Sequence, residues 1–183
     1  MTRPRAIWLL PSALAAVPAY HAAYAVQYMS IGEAQHAAFG EASEFAPITL
    51  DRAALDAAQA AVPENALGRD WSPKVWQARK DGAALGWIIV DQVIGKAEAI
   101  TYALALDPEG TVRGVDVLEY RETHGSEIRL PAWRKQFVGK TMQDPVRLDS
   151  DIRNISGATL SCRHVTDGVR RLLALYAKAL KTS

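Results

Sequence analysis

The chain has 183 residues, 49% of them hydrophobic, with 21 Lys+Arg against 20 Asp+Glu, four histidines and one cysteine. That length suits one ordinary domain with a well-buried core and is too short for two full ones. A formal charge of +1 shows no basic excess of the kind that binds nucleic acid, and a single thiol excludes an internal disulfide.

Residues 1–25 differ from the remainder. Arg3 and Arg5 precede an apolar run over residues 6–19 that contains Pro11 and Pro18, and Ala23-Tyr24-Ala25 follows. Basic, apolar and small-residue stretches in that order are those of a secretory signal peptide, so cleavage is expected after Ala25, leaving Val26 first and the protein periplasmic or otherwise extracytoplasmic. The alternative is an uncleaved N-terminal membrane anchor, which needs about 20 apolar residues and would have to accommodate Pro11, Pro18 and His21. Cys162 is far from the cleavage position, which excludes a lipid anchor there. Loss of Arg3 and Arg5 takes Lys+Arg from 21 to 19 against 20 acidic residues, a mature charge of −1.

Ser30-Ile31-Gly32-Glu33 has capping-box spacing and predicts a short helix over residues 34–39, ended by Gly40. A second helix starts at Asp51, runs through alanines to about Ala61 and stops at Pro63. These two make a helical preface, residues 26–66. From Trp71 the period changes: β-rich runs at 75–79, 84–94, 97–106 and 112–120 are punctuated by Lys80-Asp81-Gly82 and Asp107-Pro108-Glu109-Gly110, an antiparallel meander of four strands. Trp87, Ile89 and Asp91 alternate with Ile88, Val90 and Gln92, so neither face is plainly polar and a covered central strand is expected.

The polar loop Arg121-Glu122-Thr123-His124-Gly125 follows, and Pro131 begins a helix through Trp133 to about Val138. In the last helix Leu160, Val165, Val169, Leu172, Leu173, Tyr176 and Leu180 form an apolar stripe, with Arg163, Asp167, Arg170, Arg171 and Lys178 elsewhere on its surface. The fold class is α+β: an antiparallel meander with a C-terminal helix packed across it and a short helical preface, residues 67–183 forming the main domain.

The last helix opens on Ser156-Gly157-Ala158-Thr159-Leu160-Ser161. Orphan N–H groups and the macrodipole at a helix N-terminus favour an anion, small residues leave it room, and Thr159 places a hydroxyl there. The plain alternative is an ordinary N-cap. Cys162 and His164 lie about 200° apart around the helix axis, so they cannot share one metal ion, and no metal is expected.

Ser156-Gly157-Ala158-Thr159 resembles the flavinylation motif of the FMN-binding domain family, which includes the flavin-bearing subunits of the Rnf and sodium-pumping NADH:quinone reductase complexes. Tyr120-Arg121-Glu122-Thr123-His124-Gly125 resembles that family's loop packed against the flavin. Residues 132–140 resemble the short helix after it, residues 100–110 the strand and turn before it, and Tyr28-Met29-Ser30 with Glu33-Ala34 the opening of small periplasmic members. The resemblance covers most of the chain from Trp71 onward. It implies FMN attached through its phosphate to Thr159 by a separate flavin transferase, which takes FMN from FAD with magnesium. It also implies a cofactor site formed by Ser156, Gly157, Ala158, Leu160, Ser161, Glu122, Thr123, His124, Gly125 and Trp133.

Within that site the residues keep alternatives. Glu122 contacts the flavin, orients the backbone around it, or is solvated; His124 bonds the ring or moves protons, or is a surface histidine; Trp133 stacks near the ring or anchors its helix. One position departs from the family pattern: the acidic residue usual three places before the motif serine is Arg153 here, with Asp151 two residues further upstream. Arg153 offers a charge-assisted hydrogen bond to a phosphate instead. The expected function is an exported electron-transfer flavoprotein, more a carrier than an enzyme with its own substrate. Its redox partner would be a membrane-bound complex or a cytochrome. The alternatives are a noncovalent FMN-binding sensor or accessory subunit of a membrane redox complex, and an assembly domain without cofactor.

Overall fold

In a computed structural model, described for residues 26–63 and 70–181, six strands form one antiparallel sheet in the order β1-β6-β5-β4-β3-β2. They are β1 (Val26–Gln27), β2 (Glu44–Ile48), β3 (Lys74–Lys80), β4 (Ala83–Ile94), β5 (Ala99–Leu106) and β6 (Val112–Tyr120). The helices are α1 (Ile31–Ala38), α2 (Arg52–Ala61), α3 (Pro131–Arg134) and α4 (Thr159–Leu175), the last continued by a π turn over Tyr176–Leu180. The expected signal peptide and the boundary at residues 66/67 lie outside the described residues.

Strands β3 to β6 are the meander the sequence predicts, each paired with its successor. The preface adds two edge strands to its two helices: β1 pairs with β6 through Val26 and Tyr120, and β2 with β3 from Glu44 opposite Arg79 to Ile48 opposite Val75. Pro47 is tolerated in β2 because an edge strand has one side that needs no ladder bond. Both preface helices start as expected. Ser30 Oγ accepts from Glu33 N at 3.2 Å while Glu33 Oε2 accepts from Ser30 N at 2.7 Å, and Asp51 Oδ1 accepts from Ala54 N at 2.7 Å.

The sheet is covered on both faces, which explains the unbroken apolar run of β4. Trp87, Ile89 and Val93 face a core shared with α2 and α4, whereas Ile88 and Val90 face a second core with Ala34 and Phe39 beside α1. Helix α4 lies close on β5: a Cβ at Gly168 would come within 2.3 Å of the Tyr102 hydroxyl oxygen. Its far end is pinned where the Tyr176 hydroxyl donates to Pro108 O at 2.7 Å.

Two residues of α4 depart from the expected stripe. Arg171, expected on the surface, is 2% exposed and donates to Asp91 Oδ2 at 2.9 Å. Asp91 also accepts from Trp71 Nε1 at 2.9 Å and from the Tyr102 hydroxyl at 3.1 Å, so the charge is buried among partners. Burial beside Asp91 pushes the Tyr102 hydroxyl well above its ordinary pKa. Leu160, expected in the apolar stripe, is 44% exposed because the first turn of α4 borders an open cleft.

Candidate functional site

Helix α4 begins without a side-chain cap: its N-cap is Ala158, at φ −117 and ψ 17, and the Ser156 hydroxyl does not close the helix end. The first intrahelical bond runs from Cys162 N to Ala158 O at 2.9 Å, so the amides of Thr159, Leu160 and Ser161 have no intrahelical acceptor. Gly157 turns the chain into the helix at φ 85, and a Cβ there would meet nothing within 4 Å. Thr159 is exposed, and its hydroxyl accepts from Asn154 Nδ2 at 3.2 Å.

This helix end forms one wall of a cleft of about 400 Å³. Gly157, Ala158, Thr159, Leu160 and Ser161 face Glu122, Thr123 and His124 across it, and Lys96 from the β4–β5 turn completes the lining. The loop and the motif therefore line one cleft, although Gly157 and His124 are 33 positions apart.

Ser161 and Gly125 join the two walls. The buried Tyr120 hydroxyl donates to His124 O and lies 2.9 Å from Ser161 Oγ. Burial raises the pKa of Tyr120, offset in part by the Ser161 hydrogen bond. Gly125, at φ 89, lets the loop approach: a Cβ there would stand 2.7 Å from the Tyr120 hydroxyl oxygen and 3.0 Å from Ser161 Oγ.

Glu122 orients backbone. Its Oε1 accepts from Ala97 N at 2.6 Å and Glu98 N at 2.9 Å. Burial works against the carboxylate, but the amides of residues 96–98 and the Lys96 charge outweigh it, and the pKa falls below the ordinary value. His124 is exposed, with Nδ1 2.9 Å from Thr123 Oγ1.

Trp133 does not share the cleft with Thr159. Its indole is 3% exposed, donates from Nε1 to Arg153 O at 2.8 Å and meets Phe137 edge-on at 5.1 Å. It lines a neighbouring cleft of about 520 Å³ with Leu130, Arg153, Asn154 and Ile155. Ser156 is exposed beside Gly157 and lines neither cleft.

Asp151, two residues upstream of Arg153, is engaged within its own loop. Its carboxylate accepts from Val146 N at 3.2 Å and Arg147 N at 2.8 Å and pairs with Lys140 Nζ at 2.8 Å. Burial opposes its ionisation, but these partners lower its pKa overall. Arg153 is held by its backbone, donating N–H to Gln136 Oε1 at 2.8 Å, and its side chain is exposed. Cys162 is fully buried, and burial raises its thiol pKa. Among the described residues no group of three or more His, Cys, Asp or Glu is placed to hold a metal.

The sequence reading misses Lys96 and Asn154. The available signal is the Gly95-led polar break at residues 95–98 inside an apolar run, which strand alternation places at the same sheet end as the loop at 121–125.

The family model of the FMN-binding domain matches residues 95–174. A subunit of the ion-translocating oxidoreductase complex of Salmonella typhimurium is 35% identical over 127 residues, covering 63% of this chain and 61% of that protein. The same component of the Photorhabdus laumondii complex is 34% identical over 134 residues, covering 65% of this chain and 62% of that one. The chain thus spans about three fifths of the length of these relatives. The crystal structure of Shewanella oneidensis NqrC shares the fold, with a TM-score of 0.54 at 19% identity over 79% of this chain and 87% of that one. Residues 95–174, which hold both walls of the Thr159 cleft, match the FMN-binding domain family, and that match indicates FMN as the cofactor.

Proposed function

We propose that this protein is an exported electron-transfer flavoprotein whose FMN is esterified through its phosphate to Thr159. The observation that carries the reading is the α4 N-terminus: it has no side-chain cap, opens on the cleft and presents an exposed hydroxyl. The residues present fit the group. Gly157 leaves the approach open, the first amides of α4 offer donors, and Lys96 brings a cation to the same cleft.

Attachment forms a bond between Thr159 Oγ1 and the FMN phosphorus as the pyrophosphate bond of FAD breaks and AMP leaves. A flavin transferase supplies magnesium and the base that takes the hydroxyl proton. When bound, FMN supplies one- and two-electron redox chemistry. The chain's part is positional: Thr159 fixes the phosphate end, Glu122 ties the loop to the β4–β5 turn, Gly125 lets it approach α4, and His124 stands exposed on the cleft wall to exchange protons. The Salmonella and Photorhabdus relatives are subunits of ion-translocating oxidoreductase complexes, which supports a membrane-bound redox partner. Among the described residues no helix is long and apolar enough to cross a membrane. The basic, apolar and small-residue order of residues 1–25 supports export.

Arg153 and the engaged Asp151 favour a second reading, in which the same cleft holds FMN noncovalently in a sensor or accessory subunit. Coexpression with a flavin transferase separates the two. A band that fluoresces after denaturation and vanishes in Thr159→Ala supports attachment. Flavin that washes out on denaturation supports the noncovalent form, and colourless protein with no added mass counts against both.

A further inference from the structure

Among the described residues Lys96 is the one cationic side chain that lines the Thr159 cleft, and the turn that carries it is held on two sides. From the loop after β6, Glu122 Oε1 accepts the amides of Ala97 and Glu98 at 2.6 and 2.9 Å. From the second turn of α4, His164 Nδ1 bonds Gly95 O at 2.9 Å. Gly95 N closes the turn on Glu98 O at 2.8 Å, and a Cβ at Gly95 would stand 2.7 Å from Glu122 Oε1 and 3.1 Å from Ile100 Cδ1. The Lys96 backbone is therefore fixed relative to the start of α4, while its side chain is exposed toward the cleft. The other cations nearby are turned elsewhere: Lys140 pairs with Asp151, and Arg153 lines the neighbouring cleft with Trp133.

We propose that Lys96 is the cation that pairs with the FMN phosphate at Thr159, a positioning residue for the cofactor. The inference rests on FMN lying at Thr159. A phosphate diester keeps one negative charge, and a helix N-terminus supplies only about half a positive charge, so an ammonium on a fixed turn completes the neutralisation. Glu122 shares the cleft and its charge interacts with that of Lys96, but its Oε1 is engaged by the turn amides of Ala97 and Glu98, so an anion at Thr159 competes for the Lys96 ammonium with a carboxylate that already has donors.

Two measurements test it. Wild type matured with a flavin transferase and weighed for attached FMN is compared with Thr159→Ala by amine acylation and quantitative peptide mass spectrometry. Lys96 should acylate several-fold more slowly in loaded protein while the exposed Lys74 and Lys178 do not change; equal Lys96 rates overturn the proposal. In the Thr159→Ala background, FMN and riboflavin are titrated at low salt. Lys96→Ala should lower the preference for FMN over riboflavin about tenfold and Lys96→Arg should retain it. Equal losses for both ligands would place Lys96 at the ring and overturn the phosphate pairing. Wild type without attached FMN, together with a preserved FMN preference that Lys96→Ala abolishes, defeats covalent attachment and upholds Lys96. Absence of FMN in every form defeats both.

Discussion

Glu122 Oε1 lies 2.6 Å from the backbone nitrogen of Ala97 and accepts its N–H, tying the loop after β6 to the β4–β5 turn across the sheet end. The carboxylate that resembles a flavin contact is thus engaged by backbone that shapes the Thr159 cleft. Glu122→Ala should cost about 1 kcal/mol after allowance for solvent screening and should weaken flavin retention as well. Glu122→Gln, which keeps an acceptor oxygen, should lose less of both. Urea unfolding with flavin absorbance of the same samples checks the pair; retention unchanged in Glu122→Ala would separate the turn from the site.

The pH dependence follows from two depressed carboxyls. Folding holds Glu122 and Asp151 below their ordinary values of 4.5 and 3.8, so the native state gives up their protons more readily than the unfolded chain. The stability they add is complete above those values and is lost as pH falls through the lower native ones. Urea midpoints should therefore decline below about pH 4.5, with a shallower decline in Glu122→Gln carrying Asp151→Asn. An identical slope in that variant would assign the acid loss to other groups.

Gly125 and Gly157 share a left-handed backbone but not their surroundings, at φ 89 and φ 85. Alanine at 157 meets open space and bears only conformational strain, about 1 kcal/mol. Alanine at 125 also drives a methyl against the Tyr120 hydroxyl and Ser161 Oγ, so it should cost roughly 2–3 kcal/mol and part the loop from α4. Melting temperatures with flavin content will rank them; equal effects would remove the close approach as a cause.

The elements legible in the sequence are those written in local pattern. The β-branched runs with Asp-Gly and Asp-Pro-Glu-Gly punctuation give β3 to β6, and Ser30 with Glu33 gives the start of α1. Strand β1 is two residues long and β2 contains Pro47, so neither has a period to read; only pairing with β6 and β3 makes them strands. Arg171 escapes such a reading because a helical stripe sorts residues by polarity, whereas its burial depends on Asp91, 80 residues away. For the site, the motif at 156–161 and the loop at 122–125 are visible in line. Lys96 joins it through strand register, which no local window contains, and Asn154 through the turn that leads into α4.

The buried pair of Arg171 and Asp91 makes a prediction of its own. Arg171→Met leaves the Asp91 carboxylate in the core with Trp71 and Tyr102 as its partners among the described residues, at a cost of about 3–5 kcal/mol. Asp91→Asn combined with Arg171→Met removes both charges and should recover part of that loss. A double-mutant cycle in urea reads the coupling, and additive losses would show that the pair acts as two independent residues.

Arg153 occupies the position where the resembling motif carries an acid, its side chain is exposed, and its fixed contacts are made by backbone atoms. A substitution there therefore changes what a transferase meets without disturbing the fold. If recognition of that acid limits flavinylation, Arg153→Asp should raise the attached fraction several-fold at fixed transferase and time. Asp151→Asn should do little for recognition, because Asp151 is engaged by Lys140 and the amides of Val146 and Arg147. Intact mass reports the fraction directly, and thermal melting of the same preparations confirms an unchanged fold. A high yield in the wild type that Arg153→Asp fails to improve would mean the transferase reads the Ser156-Gly157-Ala158-Thr159 turn without the upstream acid.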